Sequence, residues 1–273
     1  MKKRFLGLLI ALSVTVSAYA SITVTPTKVE INANKIKNNY VTRAIEIKGS
    51  PDKPMRYRAY TGYFKVKDNS DVVFADGEKD EYNIQSKVRF VPSEFTIPAG
   101  QSQKVRVNVA NLKTLPEGES RAVIYLEDVE AKEFNMPVTE GIGAQLVLKT
   151  RVAVPVYVDK GNFVKKAEVE SFDIVRRNDG LYTKMKVISS GNSRIKYHGI
   201  IQIIEGKKLI DEYSLDSRTV SGGSYLETEQ KIETDKITKA GDYTLRMVFY
   251  YLDEKDTRKN IKKDAILRIT GEI

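Results

Sequence analysis

The chain has 273 residues, a formal net charge of +9, a single histidine and no cysteine or tryptophan. Without cysteine there are no disulfides and no thiolate metal sites, so packing alone must hold the fold. One histidine leaves little for acid–base catalysis, and 45 basic residues interleaved with 36 acidic ones do not form the concentrated basic face that nucleic-acid binding uses.

Residues 1–20 read as a signal peptide. Met1-Lys2-Lys3-Arg4 is a positive start, Phe5 to Val16 is apolar, and Ala18-Tyr19-Ala20 places small residues where a signal peptidase cuts. The apolar run is shorter than the roughly 20 residues of a membrane span. Cleavage would remove Lys2, Lys3 and Arg4, taking the charge from +9 to +6, and the 253 remaining residues would suffice for two domains outside the cytoplasm. The residual charge suits solubility, or attraction to an acidic partner or membrane surface.

From Ser21 onward the apolar period is two. Ile22-Thr23-Val24-Thr25, Ala44 to Ile47, Val105 to Val109 and Val123 to Leu126 alternate as half-buried strands do. Gly49-Ser50-Pro51-Asp52, Pro98-Ala99-Gly100 and Pro116-Glu117-Gly118 punctuate them as turns. A long β-rich run follows from Leu146 to Val158, and Asp159-Lys160-Gly161-Asn162 marks a boundary. Strands then resume at Val169 to Val175, with a hairpin through Asn178-Asp179-Gly180 into Tyr182 to Ile188. Gly199 to Ile204, Tyr225 to Ile232, Tyr243 to Tyr251 and Ala265 to Thr270 complete the series. The predicted fold is all-β, with two sandwich domains at residues 21–158 and 159–273; one large β-barrel is the other arrangement compatible with this spacing.

Catalytic and ligand motifs are absent or incomplete. Gly141-Ile142-Gly143 begins like a dinucleotide fingerprint, but Leu146 stands at the third glycine position and no helix follows. Asp68-Asn69-Ser70-Asp71 and Asp76-Gly77-Glu78 lack the ligand spacing of a calcium loop, and read as a solvated acidic hairpin tip. His198, within Ile195-Lys196-Tyr197-His198-Gly199-Ile200, reads as a strand-edge residue. No enzyme activity, cofactor, metal or small-molecule substrate is expected.

One strand invites another use. Ile142, Ala144, Leu146 and Leu148 alternate on one face, with Gly143, Gln145, Val147 and Lys149 on the other. Such a row either packs into its own core or fills the groove of an incomplete partner by β-augmentation.

The first domain resembles the PapD-like periplasmic pilus chaperones, on several motifs in order. Phe90-Val91-Pro92-Ser93-Glu94-Phe95-Thr96-Ile97-Pro98-Ala99-Gly100 running into Val105-Arg106-Val107 is similar to the family's proline-turn-strand signature. Leu115-Pro116-Glu117-Gly118-Glu119-Ser120 and Leu126-Glu127-Asp128-Val129 follow it. Val24-Thr25-Pro26-Thr27-Lys28-Val29 resembles the opening strand, Lys53-Pro54-Met55-Arg56-Tyr57-Arg58-Ala59 the second, and Gln145 to Val156 the long G strand. The likeness spans about Ile22 to Val158; the second domain matches only in general pattern.

The resemblance implies two tandem immunoglobulin-like β-sandwich domains in an L-shaped arrangement. It implies a periplasmic chaperone that lends its G strand (Ile142, Ala144, Leu146, Leu148) to pilin-like subunits and passes them to an outer-membrane usher. Two basic residues would anchor the subunit's terminal carboxylate: Lys28, and Arg151 in place of the expected position, which here is Ala153. Arg106 and Glu119 match an interdomain charge network, and the loop from Glu130 to Gly141 is as short as in the short-loop chaperones. A free G strand also exposes the protein to self-association. The rival readings are a structural or adhesive envelope protein of tandem immunoglobulin-like domains, and a pilus subunit.

Overall fold

Two apolar sets, one before Gly161 and one after it, build separate cores. The structure, a computed structural model, describes residues 22–130, 132–136 and 144–270. The predicted signal peptide and Ile142 lie outside the described residues, and the stretch expected to be a loop, Glu130 to Gly141, holds a strand at Lys132–Met136.

The first domain contains β1 (Thr23–Thr25), β2 (Val29–Asn32), β3 (Tyr40–Lys48), β4 (Met55–Gly62), β5 (Phe64–Val66), β6 (Val72–Phe74), β7 (Val88–Val91), β8 (Glu94–Ile97), β9 (Ser102–Ala110), β10 (Gly118–Asp128), β11 (Lys132–Met136), β12 (Ala144–Leu148) and β13 (Arg151–Lys160), of which β5–β6 and β11–β12 form hairpins apart from the sandwich. One sheet runs β1-β3-β9-β7 and the other β2-β13-β10-β4-β8. Alternation dictates which residues meet between them. Val105, Val107 and Val109 of β9, Ala122, Ile124 and Leu126 of β10, and Val154, Val156 and Val158 of β13 are buried in the common core. Each large aliphatic side chain so enclosed contributes about 1.5–3 kcal/mol. β13 pairs antiparallel with β10 and parallel with β2.

The second sandwich comprises β14 (Ala167–Arg177), β15 (Gly180–Ser189), β16 (Ile195–Glu205), β17 (Lys208–Val220), β18 (Tyr225–Lys231), β19 (Gly241–Leu252) and β20 (Arg258–Ile269). Its sheets are β14-β15-β18 and β17-β16-β19-β20. The all-β expectation holds. β17 was not anticipated, because charged residues interrupt the alternation of Leu209, Ile210, Tyr213 and Leu215. The expected boundary at Asp159 falls inside β13, which continues to Lys160 before the chain turns at Gly161 (φ +65°).

Three local expectations are corrected. The run from Leu146 to Val158 is two strands, β12 and β13, separated by Lys149 and Thr150. His198 stands on β16, which is paired on both sides by β17 and β19, and its exposed ring lies 5.7 Å from that of Tyr250. The hairpin tip at Asp68–Ser70 is not simply solvated; it crosses to the second domain and docks there.

Candidate functional site

Asp128 ends the sandwich portion of β10. Its side-chain oxygen accepts the Glu130 amide at 3.0 Å, a local bond that competes with continuing the ladder. Beyond it the chain enters β11, which pairs only with β12 among the described residues, as a separate two-stranded sheet. Ala144, Leu146 and Leu148 are in register with Met136, Phe134 and Lys132. Among the described residues the other edge of β12 has no β-partner, so its backbone can receive another strand. Three residues of the expected donor row thus lie on an edge strand, and Ile142 lies outside the described residues.

Arg151, Ala153, Pro155 and Tyr157 alternate with the core valines of β13 and stand on the sheet's outer face. Their cross-strand neighbours are Glu127, Tyr125, Val123 and Arg121. The Arg151 guanidinium lies 4.0 Å from the centroid of the Tyr125 ring and donates to the Tyr60 hydroxyl at 3.1 Å, while that hydroxyl donates to Glu127 at 2.9 Å. Among the described residues Arg151 has no carboxylate within 4.0 Å. Burial pushes the Tyr125 phenol up to about 12, so it remains a neutral platform.

Next to Arg151 the outer face sinks into an apolar hollow of about 140 Å³, lined by Phe64, Val72, Phe74, Val123, Ala153, Pro155 and Tyr157. Its far wall is the β5–β6 hairpin. Lys28 precedes β2 at the level of Pro155, four residues from Arg151 along β13, or roughly 13 Å. Lys28 is already bound to Glu30 at 2.8 Å. The two expected anchors therefore flank the hollow and do not touch, and Ala153 lies between them.

The interdomain network differs from the one expected. Glu119 is there, with its side chain wholly enclosed, but its partners are Arg121 (2.8 Å) and Arg194 of the second domain. Arg194 also binds Glu30 at 2.5 Å and stacks on Tyr157 at 3.6 Å. Arg106 takes no part: it lies exposed on β9, in the opposite sheet, between Ala44 and Val91. Beside this cluster, Ser193 donates to Asp159 at 2.7 Å. Within the second domain, next to this cluster, residue 191 must be glycine, since a Cβ there would meet the Val164 carbonyl oxygen at 2.0 Å. Arg194 carried no signal in the sequence, since its two carboxylate partners come from the other domain.

The β5–β6 tip makes the second interdomain contact. Ser70 donates to the Tyr225 carbonyl at 3.0 Å, its own hydroxyl oxygen accepts the Ser221 amide at 3.2 Å, and Asn69 accepts the Glu227 amide at 2.8 Å. The Tyr225 and Glu227 groups belong to β18, the edge of its sheet, and the Ser221 amide to the turn before it.

Among the described residues no cluster of His, Asp or Glu could hold a metal, and no helix is long and apolar enough to cross a membrane. No family model matches the chain and no curated protein matches it. Solved structures do. The class 5 fimbriae chaperone CfaA is 11% identical, with 90% of this chain and 99% of that one covered, at a TM-score of 0.43. The YadV chaperone is 12% identical over 90% and 100%, also at 0.43. The CsuC–CsuE chaperone–tip adhesin complex of archaic Csu pili of Acinetobacter baumannii is 12% identical over 89% and 98%, at 0.42. The chain is similar to fimbrial chaperones.

Proposed function

We propose that the protein is a periplasmic chaperone that holds pilin-like subunits by lending them β12 as a missing strand, and that it passes them to an outer-membrane usher. The observation that carries this reading is the β11–β12 hairpin. It leaves the sandwich as its own sheet, with the alternating Ala144, Leu146 and Leu148 on an edge strand that is open among the described residues. A partner lacking a strand would gain main-chain hydrogen bonds from that edge and apolar burial from the row. Three such side chains would contribute about 1.5–3 kcal/mol each for the larger ones, before the cost of association. Arg151 supports the reading, since a cation beside β12 that has no ion pair among the described residues suits a terminal carboxylate; charge-assisted bonds of this kind contribute about 1.5–3 kcal/mol.

The test is a double substitution, Leu146→Glu with Leu148→Glu, in the protein purified from the periplasm. The expected outcome is an unchanged circular dichroism spectrum and melting temperature, with copurification of its subunit reduced at least tenfold. Unfolding without a specific binding defect would instead assign the row to the protein's own core and favour a structural envelope protein.

A further inference from the structure

We propose that the hollow between Arg151 and Lys28 reads the terminal side chain of the bound subunit and selects a large apolar or aromatic one; this rests on the chaperone reading above. The lining is apolar on every side, from Phe64, Val72 and Phe74 on the hairpin to Val123, Ala153, Pro155 and Tyr157 on the sheet. Its volume of about 140 Å³ is close to that of an apolar cavity that holds one benzene ring.

Residue 153 makes the space. Arg151, Ala153 and Pro155 follow one another on the outer face, and Ala153, with its single methyl group, leaves the hollow open between its neighbours. A chain end whose carboxylate meets Arg151 sets its last side chain one pleat away, beside Ala153. The remaining wall stands ready before any partner arrives. Phe64 packs edge-on against Tyr157 at 5.6 Å, Phe74 lies 5.6 Å from Tyr125, and the hairpin tip is tied to β18. Such preorganisation lowers the cost of binding. Val72 and Phe74 are still 55% and 50% exposed, which is apolar surface that an incoming side chain would cover.

Three short peptides serve as probes in an NMR titration of the isotopically labelled full chain: acetyl-Gly-Gly-Phe with a free carboxylate, acetyl-Gly-Gly-Ala with a free carboxylate, and the amide of the first. The Phe acid is expected to shift the Val72, Val123 and Ala153 signals, saturating at about tenfold lower concentration than the Ala acid. The amide should fall behind the acid because it lacks the charge for Arg151. Ala153→Phe, at an exposed position, should abolish the Phe-acid shifts, and Phe74→Ala should weaken them. Equal responses to Phe and Ala acids, or shifts confined to other regions, would overturn the proposal. The Leu146→Glu/Leu148→Glu capture assay separates the two ideas. Lost capture together with no preference for the Phe acid removes the hollow's role and leaves the chaperone standing. Unaffected capture removes the chaperone reading, and the assignment of a subunit to the hollow with it.

Discussion

Glu30 illustrates how a half-exposed carboxylate becomes part of a joint. Burial alone would raise its pKa, but hydrogen bonds from Lys28 and Arg194 and their charges hold it down to about 2 from 4.5. A folded-state pKa below the unfolded value means that Glu30 stabilises the native state fully above about pH 4.5. That stabilisation is lost as the pH falls towards 2. Asp159 shifts the other way, because there burial outweighs the hydrogen bond from Ser193 and raises its pKa, so Asp159 favours the fold more when protonated and that contribution is lost as the pH rises through its folded pKa. We expect Glu30→Gln to lower the melting temperature at neutral pH, with the gap to the parent closing between pH 4.5 and 2. Thermal melts across that range measure it, and a gap independent of pH would contradict the assignment. In the sequence Glu30 is one of many alternating charges; nothing near it announces Arg194.

At the scale of an element, the β5–β6 hairpin shows how six strand residues can do what length does elsewhere. Each strand is three residues long, too short for alternation to reveal, and its acidic tip looks like an ordinary solvent-facing turn. Asn69 and Ser70 adopt positive φ values of 58° and 55°, uncommon for residues with a side chain though least so for asparagine. In that conformation they offer polar groups to the edge of β18, and a capped edge is protected against unwanted pairing. Asn69→Ala should therefore accelerate amide exchange at Glu227 by about tenfold or more, the equivalent of one lost hydrogen bond at about 1.4 kcal/mol. Asn69→Asp, which keeps an acceptor, should retain most of the protection. Unchanged exchange in the alanine variant would show that the tip does not hold β18. Of the β11–β12 hairpin only β12 was legible, through the alternating row from Ile142 to Leu148; the break at Lys149 and Thr150 was not, and β11 lies within the stretch read as a loop.

For the whole molecule, the question is how two independent cores behave as one body. Each sandwich closes its own apolar set, and coupling runs through the Glu119–Arg194–Glu30 cluster, the Ser193–Asp159 bond and the hairpin tip. Removing one partner of a buried ion pair costs about 3–5 kcal/mol because a charge is left uncompensated, and here Arg121 remains beside Glu119 to soften that loss. Arg194→Ala is thus expected to destabilise by about 3 kcal/mol and to split a single urea transition into two, one per domain. A loss below about 1 kcal/mol with one transition kept would mean that the cluster does not couple the domains.

By itself the sequence determined the class of the fold. Period-two alternation sorts residues to two faces of a strand, glycine, proline and asparagine mark where strands must stop, and the lack of cysteine leaves packing as the only cement. It also carried the alternating row that ends at Leu148, because that is a local pattern, whereas Arg151 was singled out only through the family resemblance. Only the tertiary structure decided what each face meets: that Glu119 takes Arg194 and not Arg106, that Ala153 opens a hollow instead of supplying a cation, and that Asn69 and Ser70 reach the other domain. Alternation tells which side of a sheet a residue occupies but not which distant residue stands opposite, and every one of these contacts joins segments far apart in the chain.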